Sequence, residues 1–123
     1  MRKHLFFVLV SLVFFACKPD PNKKIAELEQ RLISLDTAVG GAKAPDKDKA
    51  AQFIQTSEEL AALLQTIDPD KYVAVTLKAA GLAKSVDNPN KAIELYAKVS
   101  KVCRAMPKRR RPCSCRRLFM KTT

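Results

Sequence analysis

YVAVTLKAAGLAKSVDNPNKAIELYAKVSKVC, residues 72–103, decides how this chain folds. Two apolar patterns of three-four spacing flank the short break DNPNK. In that break Asn88 stands at a helix N-cap and Pro89 at the first helical position. The Asn side-chain oxygen can accept a free backbone N–H, and the N–H that proline lacks would have no partner there. The same grammar precedes the stretch, where IDPDK puts Asp68 at a cap and Pro69 behind it. The spacing therefore predicts helices over about 69–86 and 89–103. Nowhere does the chain show the period-two alternation of a strand bounded by turn signals. The expected fold class is all-α, built from antiparallel helical hairpins.

Upstream the pattern continues. A helix is predicted from about Lys47 to Thr66, with Ala50, Phe53, Ile54, Leu60, Leu63, Leu64 and Ile67 as its apolar stripe. Before it, VGGAKAPD reads as a loop, with Gly40, Gly41 and Pro45 as breakers. Ile25, Leu28, Leu32 and Leu35 fall at a and d positions of a first helix, supported by Glu27 four residues before Arg31. Two heptads do not make a coiled coil, so this helix is expected to pack on a neighbour. The N-terminal helices are assigned to 23–67, after a Pro-broken tether at 17–22.

The hairpin over 69–103 resembles a tetratricopeptide repeat. Ala80 and Ala83 are the small residues of its first helix. Ala92 follows Ala80 by twelve, then Tyr96 by four and Val99 by three, matching the second-helix pattern of that family. A repeat of about 34 residues fits Lys71 to Arg104. Thr76 stands where the family has a large aromatic residue, and Arg104 where it has proline. Ser57 and Ala61 on the preceding helix match the pattern poorly. The resemblance implies a fragment of an α-solenoid with Ala80, Ala83, Ala92, Tyr96 and Val99 as packing residues. Such repeats bury their faces only by stacking, so a chain with one clear repeat is expected to be marginally stable and association-prone.

At the other end, MRKHLFFVLVSLVFFAC carries a positive start (Arg2, Lys3) and twelve apolar or small residues, Leu5 to Ala16. A bilayer-spanning helix needs about 20 residues, whereas a secretory signal core needs about 7–15. The segment resembles a lipoprotein signal peptide over 1–16, with Cys17 as the lipidated residue. Phe14 and Phe15 depart from the commonest form of that motif, as in looser Bacteroidetes-type lipoproteins. The resemblance implies a chain anchored in the cell envelope, and Lys18 after the cysteine favours the outer membrane, facing the periplasm.

The last twenty residues are different in kind. Of the eight arginines, six lie between Arg104 and Arg117. The net charge is +11, and eight of those charges come from Arg104 onward, where no acidic residue occurs. Residues 1–103 therefore carry only +3. Cys103, Cys113 and Cys115 lack the four ligands and the spacing of a zinc site. Two of them could pair after export, and nothing in their spacing specifies which. The abrupt change at Arg104, the missing family proline there, and the Arg, Pro and Cys bias together suggest translation in a shifted frame. With one base restored after the Cys103 codon, one permitted choice of tail codons opens on proline and continues in a helical pattern. The tail, 104–123, is accordingly expected to be disordered and without an evolved role. Sequencing the gene across codon 103 and beyond Thr123 tests this.

No catalytic constellation is legible: the single histidine, His4, lies in the leader, and no phosphate-cradling glycine loop occurs. No enzyme activity, cofactor, metal or nucleic-acid partner is expected. The leading expectation is a lipid-anchored helical scaffold that binds a protein or peptide. The alternative is a lipid-anchored helical protein whose basic tail binds anionic membrane surfaces. A third reading makes the Ile25–Leu35 helix pair with a partner helix, lost on changing Leu28 and Leu32 to Ser.

Overall fold

Each of the four long helices begins where an Asp or Asn side chain takes up a free N–H. In the computed structural model, which describes residues 20–41 and 44–120, α1 runs Pro21–Gly40, α2 Lys47–Ile67, α3 Pro69–Ser85 and α4 Pro89–Ala105. Asp20 accepts from the Asn22 N–H at 3.2 Å, Asp46 from Asp48 at 3.0 Å, Asp68 from Lys71 at 3.1 Å and Asn88 from Lys91 at 3.3 Å. Pro21, Pro69 and Pro89 follow three of these caps directly. The expected tether is thus shortened at its end. Asp20-Pro21 repeats the cap-proline grammar, and Pro21 and Asn22 belong to α1. The segment expected to be a signal peptide, and Cys17, lie outside the described residues.

The α3–α4 turn closes without glycine. Asp87 adopts a left-handed conformation (φ 60°), and Asn88 N–H donates to the Ala83 carbonyl at 2.9 Å while Asp87 N–H donates to Lys84 at 3.3 Å. These paired bonds end α3 in a Schellman motif. Asp87 holds a conformation that aspartate tolerates better than most residues. Only three residues then separate α3 from α4, which forces the two helices to lie back to back.

Among the described residues the structure is helical, with no strand. α1 packs on α2, α2 on α3 and α3 on α4. One core cluster joins Leu28 and Leu32 of α1 to Phe53, Leu60 and Leu64 of α2, Tyr72 and Val73 of α3, and Val99 and Cys103 of α4. A second is made of small residues, Ala79, Ala80, Ala83 and Ala92, closed by Ile54 and Leu95. Short side chains let helix backbones approach closely. The buried hydroxyls in these seams satisfy themselves locally: Thr56, Ser57 and Thr76 donate to the carbonyls of Gln52, Phe53 and Tyr72 at 2.7–2.8 Å. Ile67, assigned to the apolar stripe, is instead exposed, because it follows the last inward turn at Leu64.

The tail differs most from expectation. α4 continues to Ala105, a 3-10 turn spans Lys108–Arg110, and a short helix α5 spans Cys113–Met120. α5 rests on α4 and α3. Cys115 is disulfide-bonded to Cys103, with Cα atoms 5.7 Å apart, and both residues are fully buried. A covalent link to the core supplies what a polar, basic segment lacks in apolar surface. Disorder is therefore not what residues 104–120 show.

Candidate functional site

Two opposite surfaces of the bundle follow from this packing. On one, α1 and α3 flank α2 and are bridged by charge. Lys71 Nζ lies 3.2 Å from Glu29 Oε1, and Lys78 Nζ 2.6 Å from Asp36 Oδ2. The two pairs fall seven residues apart on both helices and in the same order, so α1 and α3 run parallel, with α2 antiparallel between them. Beneath the bridges is an open groove of about 240 Å³, walled by Glu29, Leu32, Ile33 and Asp36 of α1 and by Lys78 of α3. Phe53 of α2 forms its floor, and Lys78 Nζ sits 5.9 Å from the ring centroid, within reach of a cation–π attraction. Ile33 is 61% exposed along the rim. An apolar floor between paired carboxylates and lysines suits an extended, amphipathic ligand.

On the other surface α2 and α4 are joined by a four-membered ionic network. Glu58 Oε1 meets Lys91 at 2.9 Å and Lys98 at 3.1 Å, while Glu94 meets the same lysines at 3.3 and 2.9 Å. Partial burial pushes the Glu58 carboxyl upward, but the hydrogen bonds and charges of Lys91 and Lys98 outweigh it and hold the group below the usual 4.5. The bond to Glu58 raises Lys91 above 10.5, the bond to Glu94 does the same for Lys98, and Lys98 and Lys91 lower Glu94. A smaller cleft of about 170 Å³ lies beside the network, lined by Ser57, Ala61, Tyr72 and Thr76 among others.

The sign of each shift gives a pH dependence. Lowered carboxyls contribute stability above their unfolded pKa, and it is lost as pH falls through the folded value. Raised lysines contribute below their unfolded pKa, and lose it as pH rises through the folded value. The α2–α4 link is therefore expected to be constant from about pH 5 to 10 and to weaken beyond both limits. Glu58→Gln should flatten the acid limb of a melting-temperature profile measured between pH 3 and 7; an unchanged acid limb would show that the network contributes nothing.

The residues assigned to repeat packing are distributed between the clusters. Ala80, Ala83 and Ala92 lie in the small-residue seam, Tyr96 is half-buried at its edge, and Val99 belongs to the larger cluster. Ser57 and Ala61, which match the repeat pattern poorly, are nevertheless buried. Neither side chain is large or apolar enough to mark a buried position in the hydropathy pattern. Leu28 and Leu32, considered above as partner-binding residues, are buried against α2, so changing them to Ser would damage the core before it tested any partner. Cys113 is an exposed free thiol. Among the described residues no group of His, Cys, Asp or Glu is arranged to hold a metal ion. No helix there is long and apolar enough to cross a membrane. No family model matches the chain, and no curated protein or solved structure matches it.

Proposed function

We propose that the chain is a lipid-anchored envelope protein whose tetratricopeptide-like helical scaffold holds an extended peptide or protein segment between α1 and α3. The observation that carries this reading is the groove itself. Leu32, Ile33 and Phe53 offer an apolar track, and Glu29, Asp36 and Lys78 line it with both signs of charge, Glu29 being paired in turn with Lys71. First helices of successive pairs, α1 and α3, supply its walls, as the repeat resemblance implies. The leader with Cys17 supports export and anchoring, and the Cys103–Cys115 bridge is chemistry that persists in oxidising compartments. The role is binding, without catalysis.

Selection of peptides from a random display library on the full chain tests it. Enriched peptides are expected to lose about tenfold or more in affinity on Ile33→Asp, a change worth about 1.4 kcal/mol. Ile33 is exposed, so the variant should keep its circular dichroism spectrum. Failure to enrich any peptide, or enrichment indifferent to Ile33→Asp, would remove the groove from consideration. Acylation is tested separately, by the mass of the mature chain with and without Cys17→Ser.

A further inference from the structure

The ion pairs of α1 and α3 also decide which ends of the helices coincide. Because α1 and α3 are parallel and α2 and α4 run against them, the starts of α1 and α3 share one end of the bundle with the finishes of α2 and α4. The tail is seated at that same end. Gln65, Pro69 and Asp70 face Val102, Met106 and Arg110 across a cavity of about 670 Å³, and Arg111 Nε donates to the Met106 carbonyl at 3.3 Å. The Cys103–Cys115 bridge pins α5 against α4 there.

This arrangement gathers cations. Arg104, Lys108, Arg109, Arg110, Arg116 and Arg117 are all exposed. Arg104 and Arg116 adjoin the two bridged cysteines, whose Cα atoms are 5.7 Å apart, so their own Cα atoms are within about 13 Å. Beyond Glu94 the chain has no carboxylate side chain. The acidic side chains at this end are Asp20 and Asp68, both engaged as helix caps, Asp70, and Glu27 and Glu29 on the first half of α1, where Glu29 is paired with Lys71 and Lys23 and Lys24 add two exposed cations. Cys17 precedes the cap residue Asp20 by three positions, a reach of at most about 11 Å.

We propose that this end of the bundle is a membrane-facing surface that binds anionic lipid headgroups beside the acylated Cys17. The choice of lipid over other phosphates rests on the anchor reading above: the acyl chains and the cations would approach one surface from one end. A lipid chain and a basic patch are the paired signals from which stable attachment is built. Each cation near an anionic surface strengthens attachment by about fivefold. The helices then stand end-on, and the α1–α3 groove runs away from the bilayer and stays open to solvent.

The test uses the full chain carrying Cys17→Ser, so that no acyl chain contributes. Its partition onto phosphatidylcholine vesicles is compared with that onto vesicles also containing phosphatidylglycerol, at low salt and at about 0.5 M, where charges are screened within a few ångströms. The leader, with its own Arg2 and Lys3, is common to the parent and to the charge-reversed variant, so the change in ratio between them reports the tail cations. Preference for the anionic vesicles is expected to be tenfold or more by the cation estimate, to vanish in high salt, and to fall by about tenfold or more in Lys108→Glu/Arg109→Glu/Arg110→Glu with helicity unchanged. A ratio near one for the parent chain, a ratio that survives the charge reversal, or tighter binding to duplex DNA than to anionic vesicles would overturn the proposal. Absence of acylation in the chain with Cys17 intact would end the anchor reading and leave the vesicle ratio standing as its own result.

Discussion

Leu95→Ala is expected to lower the free energy of unfolding by about 3–4 kcal/mol, within the range for burying-leucine truncations. Leu95 is 1% exposed and closes the seam formed by Ala79, Ala80, Ala83 and Ala92 with Ile54. The cost lies toward the upper part of the range because alanine side chains cannot swing into the space that leucine leaves. The helices would have to move instead, and α3 and α4 are tied by a three-residue turn. A domain of this size has a total stability of about 5–15 kcal/mol, so about a fifth or more is at stake. Urea titration followed by circular dichroism measures it as a lower midpoint at unchanged slope. Ile93→Ala, on the same helix but 66% exposed, is the control and should fall within about 0.5 kcal/mol of the parent. Equal losses at the two positions would contradict the assigned packing of α4.

Opening the Cys103–Cys115 bridge is the second large effect. The bridge spans 12 positions, and the loop it closes is worth about 3 kcal/mol in restricted unfolded-state entropy. α5 has 8 residues, well under the roughly 12–15 that a helix needs to persist alone. Reduction, or Cys103→Ser/Cys115→Ser, should therefore release α5 and the 3-10 turn while α1 to α4 remain folded. Trypsin reports this directly. Cleavage after Lys108, Arg109, Arg110 and Arg116 should be slow in the oxidised chain and fast in the reduced one, with a lower melting temperature on reduction. If both states are cut equally fast, the tail is not held to the core, and the shifted-frame origin considered for it regains its force. If the oxidised tail is protected, the chain has a fifth helix in place, whatever the origin of its codons.

How far the sequence could be read differs from element to element. Asp68-Pro69 and Asn88-Pro89 marked the starts of α3 and α4 to the residue, because a cap is a bond between neighbours and needs no distant partner. Asp20-Pro21 carries the same signal, but inside a polar, Pro-rich run that reads as a tether. Leu28, Leu32, Phe53, Ile54, Leu60 and Leu64 were legible from period alone, since an amphipathic stripe must face something apolar. Val39 and the small buried residues Ser57 and Ala61 were not. Small size at a close helix crossing leaves no hydrophobic signature, and a serine hydroxyl bonded to its own helix is invisible in a hydropathy pattern. The walls of the α1–α3 groove were equally hidden, because Glu29 and Lys71 lie 42 positions apart.

The tail marks the boundary between the two kinds of information. By itself the sequence determined an all-helical chain, the starts of its principal helices, a basic C-terminal segment and three cysteines with no stated pairing. All of these depend on interactions over four residues or fewer, or on composition. Only the tertiary structure decided that Cys103 takes Cys115 and leaves Cys113 exposed, that Ile67 faces solvent, and that the start of α1 shares an end with the cations of 104–117. Those outcomes depend on how four helices stack. The stacking is set by the sum of many small burials across the bundle, and no local stretch of sequence contains that sum.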